Sequence, residues 1–201
     1  MMKTGRVYRT CALAFAGAVI LTMARPVLCP AEELATADQA LRKIFPQAQS
    51  FIRREILLTP EQTGRIAAGA QMTFDEAHSL KITVYLAQNS GRTSGYGFED
   101  TVHGKWGPIH YLVGVDLAGA VIDTVILDYQ EIRGKPVAKR RFLKQYRGKS
   151  ARDPLQLKED INGISGATIS SRSLTEGIRK LLFILAEIQT GLITAPEPEK
   201  P

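Results

Sequence analysis

The residues with most chemical potential form one run, Asn162-Gly163-Ile164-Ser165-Gly166-Ala167-Thr168-Ile169-Ser170-Ser171. Three hydroxyls, on Thr168, Ser170 and Ser171, stand where an apolar repeat of helical period begins. Gly166 and Ala167 carry almost no side chain, so a bulky group can approach the backbone closely. The first N–H groups of a helix have no partner inside it, and the helix dipole favours an anion beside them. A phosphate there gains about 0.3–1 kcal/mol from the dipole, before any hydrogen bond is counted. The chemistry suggested is capture of a phosphate-bearing ligand, with a hydroxyl as acceptor for a covalent bond. The same residues have a plainer reading, in which Ser170 or Ser171 is simply the helix N-cap. Residue types alone leave both readings open.

The helix that presents these hydroxyls is legible from Leu174, Ile178, Leu181, Leu185 and Ile188, which recur at helical spacing before Gly191 ends the run. Upstream the texture is β. Residues 80–88 alternate apolar and polar, and 96–102, 109–116 and 121–129 are further strand candidates. The links between them carry Asn89-Ser90-Gly91, the Gly-rich turn of residues 103–108 and Ala118-Gly119, the last short enough for a hairpin. Consecutive strands with short links make an antiparallel sheet. Thr36 with Gln39, and Thr59-Pro60 with Gln62, mark two helix starts, the second helix ending near Gly69, with a short strand between them over 50–58. A further helix is expected over 136–147, ended by Gly148. The fold class is α+β: helices packed on one antiparallel sheet.

Residues 1–31 read as a secretory signal peptide. Lys3, Arg6 and Arg9 precede an uncharged, mostly apolar run, and Cys29-Pro30-Ala31 offers a cleavage site. The apolar run is shorter than the roughly 20 residues of a membrane-spanning helix, which favours a cleaved leader over a retained anchor. Four of the 26 basic residues and none of the 20 acidic ones lie in this leader, so the remainder carries a net charge of only +2. The basic character that would support nucleic-acid binding is therefore largely the leader's. Both cysteines, Cys11 and Cys29, lie there too, so the remainder has no thiolate site. The expected organisation is leader 1–31, an N-terminal extension 32–75 of unassigned role, a main domain 76–192, and a proline- and charge-rich flexible tail 193–201. The three histidines, His78, His103 and His110, show no metal-ligand spacing, and no Gly-x-Ser-x-Gly nucleophile motif occurs.

Ser165-Gly166-Ala167-Thr168-x-Ser170 resembles the flavin-attachment motif of the FMN-binding domain family, which includes the flavin subunits of Rnf complexes and of sodium-pumping NADH:quinone reductase. Gly104-Lys105-Trp106-Gly107-Pro108-Ile109, Val113-Gly114-Val115-Asp116, Tyr129-Gln130-Glu131-x-x-Gly134 and Phe142-Leu143-x-Gln145-Tyr146-x-Gly148-Lys149 fall in the order expected of that domain. The resemblance spans roughly residues 80–192. It implies covalent FMN on Thr168 through a phosphoester, made by an FAD:protein FMN transferase, with Ser165, Gly166, Ala167 and Ser170 around it. It also implies flavin-lining roles for Trp106, Tyr96 and Glu131. On their own these three read as a core or turn tryptophan, a strand-start aromatic and a solvated charge. Where the family usually has an aspartate three residues before the motif serine, this chain has Asn162; Asp160 is the nearest acid that could replace it.

The function implied is an extracytoplasmic electron carrier that serves a redox partner protein or a membrane electron-transfer complex. Two alternatives stand beside it: an exported flavin-dependent reductase of a small acceptor, and a flavin-free interaction module. The basic run from Lys139 to Arg152 could serve the module as a docking face; its plain reading is a solvated helix surface.

Overall fold

The computed structural model describes residues 32–74, 80–129 and 136–191. The expected leader, Glu131, and all of the tail lie outside them. Six strands form one antiparallel sheet: β1 (Glu32–Glu33), β2 (Ser50–Leu57), β3 (Lys81–Asn89), β4 (Arg92–His103), β5 (Pro108–Val115) and β6 (Val121–Tyr129). Their order is β1-β6-β5-β4-β3-β2, so β2 to β6 run as a meander and β1 joins the far edge. Residues 32–57 thus supply both edge strands of the sheet.

Helix α1 (Ala37–Ile44) links those two edges across one face. It starts at a reciprocal cap in which Thr36 Oγ1 accepts from the Gln39 N–H and Gln39 Oε1 accepts from the Thr36 N–H. Its apolar stripe, Ala40, Leu41 and Ile44, is buried against Ala87, Leu112 and Leu127. The approach is close because β4 presents glycine there. A Cβ on Gly95 would fall 2.5 Å from the Phe45 ring, and one on Gly97 2.6 Å from Leu41.

The other face is covered by α4 (Thr168–Gln189), flanked by α2 (Pro60–Ala70). Leu174, Ile178, Leu181 and Leu185 pack into a core with Val84, Phe98, Val102 and Val113. Helix α2 repeats the reciprocal cap, between Thr59 and Gln62. It is held to α4 by Arg65 Nε on Glu187, 2.9 Å, and by Gly69 against the Phe183 ring. Between α4 and the sheet lies a fully buried ion pair, Lys180 Nζ to Asp100 Oδ2 at 2.7 Å. The Tyr111 hydroxyl donates to the same oxygen at 3.0 Å.

Two elements differ from the expectation. Strand β4 begins at Arg92, not 96, because Ser90 (φ 50°) and Gly91 (φ 74°) make a two-residue hairpin turn that leaves both strands paired to its base. The single helix expected over 136–147 is three short pieces: 3-10 turns at Pro136–Ala138 and Lys144–Tyr146 around α3 (Arg140–Leu143). Lys139, extended at φ −66°, ψ 130°, breaks the run. Arg140 and Arg147 both reach the Asp123 carboxylate on β6, at 2.7 and 2.9 Å. That shared anchor ties the segment to the sheet. Burial works against the charge on Asp123, but Arg147 and Arg140 outweigh it and hold its pKa below the ordinary range. With Lys149 paired to Asp160, three of the run's basic residues are structural ties.

Candidate functional site

The site is built at the start of α4. The Ala167 N–H donates to the Ile164 carbonyl at 3.0 Å, closing a turn whose third residue, Gly166, sits at φ +81°. That is the position of a type II turn where glycine is favoured, because an L side chain is strained there. The chain then enters α4 at Thr168. Ala167 is the N-cap and supplies no capping side chain. The N-cap reading of Ser170 and Ser171 is thereby corrected: both lie inside the first turn, fully buried. Ser170 Oγ accepts from the Lys105 N–H and Ser171 Oγ accepts from the Ile164 N–H, each at 3.2 Å. The two serines latch the β4–β5 loop and the 164–167 turn to the helix. The exposed Thr168 at its tip is left on a fixed platform.

The loop before the turn is fixed as firmly. Gln145 grips the backbone of Asn162 from both sides: its Oε1 accepts from the Asn162 N–H at 2.8 Å, and its Nε2 donates to the Asn162 carbonyl at 3.1 Å. Asp160 accepts from the Leu155 and Gln156 N–H groups and from Lys149 Nζ, the last at 2.9 Å. Burial works against its charge, but the Gln156 N–H, Lys149 and the Leu155 N–H together hold its pKa below the ordinary range. Its oxygens are engaged in shaping the 155–161 loop. That commitment makes it a poor replacement for the acid missing at Asn162.

Beside Thr168 opens a cavity of about 790 Å³. A volume of this order lies in the roughly 300–1,000 Å³ range of small-molecule and cofactor sites. One wall is α4 itself, through Thr168, Arg172, Thr175 and Arg179; the others are the 155–158 loop and Gln71–Thr73 after α2. Spacings of four, three and four place those α4 residues on one helix face. The Thr175 hydroxyl donates to the Ser171 carbonyl at 2.7 Å, and Tyr146, whose pKa burial raises, lies 2.8 Å from Thr175. Arg179 is 8% exposed, and its Nε is buried with no hydrogen-bond partner among the described residues. Sequence reasoning missed both arginines; the available signal was their phase with Thr168.

Thr168 and Ser165 line this cavity, with Gly166 and Ala167 in the turn between them. Ser170 lies under it as a latch. Trp106 is 51% exposed, which rules out the core reading. It stands in the loop bonded to Ser170, with Lys105 Nζ 4.9 Å from its ring centroid, and does not line the cavity. Tyr96 is not brought to the site. It pairs with Leu86 and Val115, seven residues along β4 from the end near Ser170, and packs partly buried against the core. Among the described residues no group of three His, Cys, Asp or Glu side chains is placed to hold a metal ion. None of their helices is long and apolar enough to cross a membrane.

The fit to a phosphate-linked flavin is good on three counts. The cavity has the volume, the uncapped first turn of a 22-residue helix meets it at Thr168, and a guanidinium with an unbonded Nε lies inside it. Comparison with known proteins agrees. Residues 104–182 match the FMN-binding domain family. The chain is 33% identical over 104 residues to a component of the proton-translocating ferredoxin:NAD(+) oxidoreductase complex of Clostridium ljungdahlii. That alignment takes in 48% of this chain and 56% of the relative, so the chain spans about half the length of the protein it matches. The family match runs from the Gly-rich loop of Trp106 through the whole attachment turn and most of α4, so this part of the chain is similar to FMN-binding domains.

Proposed function

We propose that the chain is an exported electron-transfer flavoprotein carrying FMN covalently on Thr168. The observation that carries the reading is the placement of Thr168: a hydroxyl on the first residue of an uncapped long helix, on a latched turn, at the mouth of a cofactor-sized cavity. An FAD:protein FMN transferase would make the bond. The Thr168 oxygen attacks the FMN phosphorus of FAD, the pyrophosphate linkage breaks, AMP leaves and the hydroxyl proton is lost. The chain's part is to present that hydroxyl, and then to stabilise the phosphate with the first-turn N–H groups and the helix dipole.

Bound flavin supplies one- and two-electron chemistry, while the protein supplies position and electrostatics. Export favours a covalent link, because a chain exported unfolded cannot carry a loosely bound cofactor and free FMN is scarce outside the cytoplasm. The leader-like residues 1–31 support that location. The likeness to a component of a ferredoxin:NAD(+) oxidoreductase complex supports service to a membrane electron-transfer complex, with a redox protein as donor or acceptor. Intact-mass spectrometry of the protein co-produced with the transferase tests the core of this. The expected gain is FMN minus one water, absent in Thr168→Val. An unmodified wild-type mass beside an active transferase would remove the claim.

A further inference from the structure

We infer that Arg179 is the cavity's contact for the acceptor edge of the flavin ring system, and that it raises the flavin's reduction potential. The inference rests on the flavin reading above and adds the residue that reads the ring. Its starting point is an energetic anomaly. Arg179 is 8% exposed, and its Nε–H is buried and unbonded, so that donor carries a desolvation cost that no partner among the described residues offsets. Such a group fits a ligand that brings acceptors and negative charge to it.

The position says which part of the ligand that is. Thr168 and Arg179 are eleven residues apart on one face of α4, about 16 Å by helical rise. A phosphate on Thr168 is served by the first-turn N–H groups and, one turn on, by Arg172. That leaves Arg179 to the opposite end of the ligand, two turns deeper. Helical side chains lean toward the N-terminus, so Arg179 leans back over the cavity toward Thr168. The charge there is complementary as well: among the described residues, Lys158, Arg172 and Arg179 line the cavity with Glu176 as the acid. The ring system at the far end of a phosphate-anchored flavin has two outer edges, and of these the pyrimidine-dione edge is the one that carries carbonyl acceptors for a guanidinium. Reduction places negative charge on that edge. A cation beside it therefore favours the reduced form, and a charge near N1 is one of the ways a protein tunes a flavin.

The experiment compares wild type, Arg179→Met and Arg179→Lys as full chains, with and without the transferase. Without flavin, Arg179→Met should melt at or above the wild-type temperature, since a side chain with a buried, unbonded N–H has been replaced by an apolar one. A fall of several degrees would mark a structural role and overturn the assignment. Riboflavin, which has the ring and no phosphate, should bind unloaded Arg179→Met at least tenfold more weakly than wild type, with Arg179→Lys between them. Once loaded, Arg179→Met should show a more negative midpoint potential by spectroelectrochemical titration at an unchanged mass gain. Loaded Arg179→Met with wild-type potential, or riboflavin affinity equal to wild type, would overturn the proposal while leaving covalent attachment intact. Wild type that takes no FMN but binds riboflavin in an Arg179-dependent way would instead sink the attachment reading and uphold this one.

Discussion

At the scale of single residues, the turn that delivers Thr168 depends on one backbone angle. Gly166 at φ +81° has nothing within 4 Å of an added Cβ, so a side chain there meets no clash and the whole penalty is conformational. For an L-residue that penalty is roughly 1–2 kcal/mol. Gly166→Ala should therefore lose about that much stability by urea denaturation, and should shift the turn enough to lower the fraction of protein carrying FMN. Gly163→Ala is the control: its Cβ would rest 3.4 Å from Leu157, an ordinary contact, with no unusual φ to relieve. If both variants load like wild type, the turn is not what presents the hydroxyl. The motif around Thr168 was legible as chemistry through its resemblance to a known attachment motif, since its residue types alone also fit a plain helix cap. The arginines behind it were not, because scanning a helix for apolar period marks the face turned to the core and passes over the cavity face.

At the scale of elements, β3 was legible by its alternation, and β5 and β6 as apolar runs bounded by turn residues. The start of β4 was hidden by Thr93, Ser94 and Gly95, a polar, glycine-ended stretch with no apolar alternation. Their place is set instead by the tight hairpin on one side and by α1 lying over the glycines on the other. The broken 136–147 segment was hidden for the opposite reason: its local signals were helical, and Asp123 on a distant strand decided the outcome. Strands β4 and β5 are also joined by a titratable tie on the α1 face. His110 Nε2 lies 2.8 Å from Glu99 Oε1, and the Tyr85 hydroxyl donates to Glu99 Oε2 at 2.6 Å. The bond to Glu99 raises the His110 pKa above its ordinary 6.5 against the pull of burial, and the same bond lowers Glu99 below its ordinary 4.5. The signs follow from linkage. The raised histidine contributes stability in full below pH 6.5 and loses it as pH climbs through its folded pKa. The depressed glutamate contributes in full above pH 4.5 and loses it as pH falls through its own. The melting-temperature gap between wild type and His110→Gln should then be widest between those two values and narrow on either side. A gap that stays constant with pH would show that the pair is not ionic.

At the scale of the whole molecule, the α4 layer and the sheet are joined by two kinds of contact with different tolerances. The apolar contacts of Leu174, Ile178, Leu181 and Leu185 are many and individually replaceable. The Lys180–Asp100 pair is single, fully buried, and shared with Tyr111, while Asp100 Oδ1 is buried with no partner among the described residues. Removing one member of a buried pair strands the other charge in the interior, at about 3–5 kcal/mol, whereas replacing both by apolar groups is often neutral or stabilising. Lys180→Met should accordingly lower stability by about 3–5 kcal/mol, and Lys180→Met with Asp100→Leu should recover most of that loss in chemical denaturation. The prediction reaches the site because α4 is also a wall of the cavity: Lys180 on the sheet side adjoins Arg179 on the cavity side. If the pair fixes the rotation of α4, the double variant will be as stable as wild type yet will bind riboflavin less well, with Thr168 and Arg179 turned out of phase with the 155–158 loop. If it serves stability alone, the double variant will recover riboflavin affinity together with its melting temperature. Equal stability for the Lys180→Met single variant and wild type would mean that the buried charges are not paired in solution.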